Sequence, residues 1–178
     1  MKKLSIILII LLSVFCIECN RTEPCPSCLS DLNYFPYIKG QNLKFINYQN
    51  DTLIYTITDE QIYEDASATR SGKDNYCLSD ALFKINSNQG TLNRCGINVQ
   101  GSLNKAWSVH VHVRFNSKIL EIELLEKSCT YKKLSKYLKD TIVIENEDNQ
   151  LVKKVVIIKG KGLVSYTTAD GEEWKLVE

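Results

Sequence analysis

The chain is predicted to be all-β: an antiparallel β-sandwich or a partly open meander barrel with one short helix. Three observations point there. Short runs rich in Ile, Val, Tyr, Thr and Phe recur from Leu43 to the C-terminus. Clusters of Asn, Asp, Gly and Ser separate them, and segment 106–126 alternates apolar and polar side chains on both arms of a hairpin. A length of 178 residues with 44% apolar and 24% charged side chains suits one globular domain that buries its own core. With 22 basic and 21 acidic residues the net charge is +1, which gives no overall field for a polyanion, so nucleic acid is not an expected partner.

In chain order, the first element is a leader. Met1-Lys2-Lys3 and the apolar run 4–15 form a basic and then a hydrophobic region, shorter than the roughly 20 residues of a membrane-spanning helix. Residues 1–19 therefore read as an export signal of lipoprotein type. The expected location is the cell envelope, with the membrane touched only through an N-terminal anchor, in a compartment that permits disulfides. CIECNRTEPCPSC, residues 16–28, holds four of the seven cysteines. Cys16 is the expected lipid attachment site and Cys19 the alternative. Acylating Cys16 leaves Cys19, Cys25, Cys28, Cys77, Cys95 and Cys129, an even set. Residues 20–37 read as a Cys- and Pro-rich tether and 38–178 as a single β domain. Cys25-Pro-Ser-Cys28 has the spacing of a redox pair but lacks the preceding strand of such sites, so a tether disulfide is expected there. Cys77 and Cys95, on neighbouring predicted strands, are the expected core bridge.

The strands follow. LKFINY and TLIYTIT flank an Asn50-Asp51 corner whose register stays open: a tight turn there would put Leu43 and Phe45 on the face opposite Leu53, Tyr55 and Ile57. Residues 60–75 are polar and aperiodic and read as a long mobile loop. Strands are expected next at 76–85 and 91–99. In AWSVHVHVRF-NS-KILEIELLE a two-residue loop at Asn116-Ser117 pairs Val113 with Leu120, Val111 with Ile122 and Val109 with Leu124. That register sets His112 opposite Glu121 and His110 opposite Glu123, and slipping it by one residue would spoil both faces. Tyr131, Leu134, Tyr137 and Leu138 share one helical face, so TYKKLSKYLK, 130–139, is the expected short helix. Strands resume at 141–146, 153–159, 162–168 and 173–178. Gly160 and Gly162 mark a bend, and a tight Asp170-Gly171 turn would set Val164 opposite Val177 and Thr167 opposite Trp174.

The leader with its nearby cysteines, YFPYIKGQNLKFIN with NDTLIYTIT after it, and VVIIKGKGLVSYTTADGEEWKL together resemble the small exported lipoproteins of unknown function common in Bacteroidota. The resemblance spans most of the chain. It implies a β domain on an envelope surface and carries no catalytic residues with it.

Motifs for nucleophilic, zinc-protease, P-loop and dinucleotide chemistry are missing. His110 and His112 are the two histidines of the chain, on one face of one strand, with Glu121 and Glu123 across the hairpin. A divalent metal could use that set; a solvated outer face with cross-strand charge pairs is the competing reading. No cofactor is expected. The chain reads as a non-enzymatic binding or structural module at the envelope, contacting a protein or a glycan. The alternatives are a lipocalin-like carrier of a small apolar ligand and a metal-dependent enzyme using His110 and His112.

Overall fold

The hairpin 107–126 carries the clearest pattern, and it forms in the expected register. Val109 lies opposite Leu124, Val111 opposite Ile122, Val113 opposite Leu120, His110 opposite Glu123 and His112 opposite Glu121. Asn116, with φ of 51°, supplies the left-handed residue of its turn. Trp107, Val109, Val111, Val113 and Phe115 are all buried, while His110, His112 and Arg114 between them are partly exposed.

The structure is a computed structural model that describes residues 33–68, 75–87, 89–102, 107–126 and 139–177, with backbone alone at 64–68, 75–77, 102 and 123–126. The leader, Cys16, Cys19, Cys25, Cys28, Cys129 and all but Lys139 of the expected helix lie outside the described residues, among which no helix occurs.

Among the described residues ten strands form one antiparallel sheet: β1 (Asn42–Ile46), β2 (Thr52–Ala68), β3 (Asn75–Asn86), β4 (Leu92–Ser102), β5 (Trp107–Phe115), β6 (Lys118–Glu126), β7 (Thr141–Glu145), β8 (Val152–Ile158), β9 (Gly162–Thr168) and β10 (Glu173–Leu176). Their order across the sheet is β6-β5-β4-β3-β2-β1-β10-β9-β8-β7. Neighbours in the sheet are neighbours in the chain except where β1 meets β10, which joins two meanders. The sheet curls until its edge strands β6 and β7 approach each other, so it is nearly closed into a barrel.

Three expectations are corrected. Residues 60–68 and 75 extend β2 and β3 rather than forming a loop. Ladder pairing with Asn75–Phe83 of β3 holds that extension, and the side-chain periodicity of the β2 arm does not report it. The β9–β10 register is one residue from the expected one: Trp174 lies opposite Tyr166, and Thr167 opposite Glu173. A longer turn, with Gly171 alone at positive φ, lets both aromatics face inward, where they stack at 6.4 Å. Tyr34, Phe35 and Tyr37 are core residues, at 0%, 4% and 3% exposure, so the folded unit begins inside the segment assigned to the tether.

The open β1–β2 register is resolved by a wider loop. Asn47 is buried, and its Oδ1 accepts hydrogen bonds from the backbone N–H groups of Gln49 at 3.0 Å and Asp51 at 2.7 Å. Its Nδ2 donates to Asp51 and to Glu172 beside β10. Phe45 then pairs with Leu53 and Leu43 with Tyr55, which puts the apolar set of both strands on the inner face.

Aromatic rings fill the interior. Tyr166 packs on Phe45 at 5.4 Å and Phe115 at 5.1 Å, and its hydroxyl meets that of Tyr55 at 3.0 Å. Burial pushes the Tyr166 phenol far above its ordinary value. At the other end Tyr37 meets Phe83 edge-on at 5.6 Å, and its hydroxyl oxygen accepts the Leu163 N–H at 2.7 Å. Each fully buried large apolar side chain contributes about 1.5–3 kcal/mol.

Candidate binding face

Alternation along the strands sends one set of side chains outward, and the ladder lines them up in rows across β3, β4, β5 and β6. Lys84, Arg94 and Arg114 are successive cross-strand partners, and Leu82, Gly96, His112 and Glu121 form the next row. Gly96 is required where it stands: a Cβ there would lie 2.7 Å from the Ala81 carbonyl oxygen and 2.8 Å from Cε1 of His112. The imidazole of His112 thus lies across β4 in the notch that the missing side chain leaves.

This placement decides the electrostatics. Burial pulls the His112 pKa below the usual histidine value; Arg94 and Arg114 add to the depression, while Asp80 and Glu121 oppose it. The carboxyl of Asp80, half-buried beside it, is raised by burial against the opposing pull of His112 and Arg94. The carboxylate opposite His112 would raise its pKa on its own, but desolvation outweighs that attraction. His110 Nδ1 sits 3.0 Å from Glu121 Oε1, a diagonal partner rather than the directly opposite Glu123, whose side chain lies outside the described residues. Among the described residues no three His, Cys, Asp or Glu side chains gather as metal ligands would.

A base with a depressed folded pKa takes up its proton more readily when unfolded, so the contribution of His112 is complete above the unfolded value of about 6.5 and is lost as pH falls from there through the folded value. Thermal melts from pH 7.5 to 5 should show the wild type losing stability below pH 6.5 more steeply than His112→Gln. Parallel curves would contradict the assignment. Asp80 has the opposite sign, present in acid and lost as pH rises through its raised value, and Asp80→Asn removes it as a control.

Beside these rows the outer surface is hollowed. A recess of about 540 Å³ is lined by Lys84, Arg94 and Arg114 together with Thr58, Asn86, Asn93 and Asn116. It shares Thr58 and Asn86 with a second recess of about 590 Å³ that runs along Thr52, Ile54 and Thr56 of β2 to Ser87 and Gln89. The trough is not legible in the sequence, because its residues come from β2, β3, β4, β5 and the two loops that follow β3 and β5. The only signals in the sequence are the alternating Thr52, Thr56 and Thr58 and the isolated arginines.

Comparison with protein-family models, curated proteins and solved structures gives no match. The face therefore has to be read from its own chemistry.

The cysteines do not enter it. Cys95 is a buried free thiol whose pKa burial pushes well up, which makes it a poor nucleophile. The expected Cys77–Cys95 bridge is not formed. Cys95 lies opposite Phe83, and Cys77 lies opposite Gly101, six positions further along β3. At about 3.3 Å per residue that separation is roughly 20 Å, far beyond the reach of a disulfide.

Proposed function

We propose that the protein is an envelope-tethered, non-enzymatic β domain, a partly open barrel, that binds its partner through its outer surface. The observation that carries this reading is the packed interior. A lipocalin-like carrier needs an enclosed apolar space, and the centre of this sheet is occupied by Phe45, Tyr55, Phe115 and Tyr166 at 0–2% exposure. Most side chains that line the trough on the outer face are polar or charged, which suits a hydrophilic partner. Tethering rests on the leader and on Cys16, with Cys19 as the alternative, and agrees with the resemblance to exported Bacteroidota lipoproteins.

One experiment with two arms tests it. In a bacterial host that lipidates exported proteins, the full chain should take up radiolabelled palmitate and sediment with membranes, and Cys16→Ser should release it. The purified protein should show no saturable one-to-one uptake of a long-chain fatty acid or of an apolar fluorescent probe. Stoichiometric uptake in the second arm would favour the carrier instead, and unlabelled, soluble wild type would overturn the anchor.

A further inference from the structure

We infer that the trough is a binding site for an acidic glycan, one whose sugar units carry carboxylate or sulfate groups; this rests on the proposal that the outer surface is the binding surface. Two β-bulges carry the inference. On β2 the register shifts between Ile57 and Asp59, and on β4 between Leu92 and Arg94, which leaves Thr58 and Asn93 as extra residues. An extra residue breaks the alternation, so Thr58 and Asp59 are both outward, as are Asn93 and Arg94. Bulges re-aim side chains at the cost of ladder pairing. β2 and β4 are not neighbours in the sheet, yet their bulged residues line the same recess.

The charge in that recess is arranged at a cost. Arg94 and Arg114 lie directly opposite each other, and like charges so placed are destabilising. Lys84 is held by Asp59 at 2.9 Å, whereas neither arginine forms an ion pair with a described residue. The Nε of Arg114 is shielded from solvent and has no hydrogen-bond partner among the described residues. Asp80 and Glu121 stand one or two rows away: Asp80 interacts electrostatically with Arg94, and Glu121 lines a smaller recess of about 200 Å³ with both arginines, but neither carboxylate forms an ion pair with them. Two guanidinium groups with free donors are suited to an oxyanion, which they can grip in bidentate fashion.

The rest of the trough identifies what bears the oxyanion. Beyond Thr58 it offers threonine hydroxyls and the side chains of Asn86, Ser87 and Gln89, short donors and acceptors that match sugar hydroxyls. Ile54 is its large exposed apolar side chain. A single-stranded nucleic acid would need aromatic stacking platforms, and the lining has none; its apolar side chains are Ile54 and the buried Ile85, too few to anchor a protein partner. Each recess falls within the 300–1,000 Å³ typical of small-ligand sites, and the pair in line suits a short oligosaccharide.

Calorimetric titration of the full chain with a sulfated hexasaccharide, an oligogalacturonate, a neutral glucose hexamer and inorganic sulfate tests this. One or both acidic oligosaccharides should bind, more weakly as salt rises, while the neutral hexamer should not. Arg94→Gln and Arg114→Gln should each weaken the acidic ligand at least tenfold, and Asn93→Ala should weaken it several-fold. Lys175→Gln, which removes an equal charge on β10, should leave it unchanged; melting temperatures check that each variant is folded. Equal losses in Lys175→Gln would mean unspecific charge attraction and overturn the site, as would full affinity in both arginine variants. Sulfate binding as tightly as the oligosaccharide would mean an ion site rather than a glycan site. If neither acidic oligosaccharide binds the wild type the inference fails, while binding through the outer surface fails only on saturable uptake of an apolar probe.

Discussion

Tyr166→Ala is expected to be the most damaging single substitution in the described core. Its ring contacts Phe45, Phe115 and Trp174, and its hydroxyl is the partner of Tyr55. Truncating a buried aromatic costs about 3–5 kcal/mol in lost transfer energy and residual cavity. The Tyr55 hydroxyl keeps the backbone groups of Thr91 and Leu92 as partners, so losing the Tyr166 hydrogen bond adds about 0.5–1.5 kcal/mol. Together these approach the roughly 5–15 kcal/mol by which a domain is stable at all. Tyr166→Phe keeps the ring and removes only the hydrogen bond, so it should cost about 0.5–1.5 kcal/mol. Urea denaturation of both variants gives the comparison. An alanine variant less than about 2 kcal/mol below wild type would mean that the interior is looser than these contacts imply, and would reopen the carrier reading.

Gly162→Ala should produce the second large effect, for a different reason. Gly162 begins β9 with φ of 88°, where an L-residue is strained by about 1–2 kcal/mol. An added Cβ would also overlap the Tyr37 hydroxyl, 2.2 Å from the oxygen. The ring would have to move, and the buried hydrogen bond from Leu163 would be lost with it at about 1–3 kcal/mol. The sum, roughly 3 kcal/mol, corresponds to a melting temperature lower by about 6–12 °C for a domain of this size. Gly160→Ala is the matched control: φ is 78° there, but nothing lies within 4 Å of the added Cβ, so it should show the backbone strain alone. Equal shifts in the two variants would mean that Tyr37 does not pin this corner.

The N-terminal segment is pinned by hydrogen bonds. Tyr37 is anchored at Leu163, the Tyr34 hydroxyl donates to the Lys139 carbonyl at 2.6 Å, and the Gly160 N–H donates to the Asn33 carbonyl at 2.7 Å. Burial, with Asp140 nearby, pushes the Tyr34 phenol up to about 12, so it stays a neutral hydrogen-bond donor.

The hairpin 107–126 was legible because its evidence is local: one face apolar, a two-residue loop, and no other register that satisfies both arms. The β9–β10 register was not, since Asp170-Gly171 fits a tight turn equally well. What decides it is the stacking of Trp174 on Tyr166 in an interior that the hairpin alone does not form. The length of β2 was hidden for a related reason. Residues 60–68 show no apolar alternation in the sequence to announce a strand, and the partner backbone of β3 holds them.

By itself the sequence determined the strand class, most of the strand positions and the inward and outward faces of β5 and β6, because period-two alternation and turn residues act over a few positions. It also set the net charge near neutrality. Only the tertiary structure decided that the strands form one nearly closed sheet, that Tyr34, Phe35 and Tyr37 belong to its core, and that Cys77 and Cys95 lie too far apart to bond. The trough belongs to the same category. Arg94 and Arg114 are 20 positions apart in the chain and become direct partners only through the β4–β5 ladder. Thr58 and Asn93 join them because each bulge shifts the alternation by one residue, a change invisible until both strands have found their neighbours.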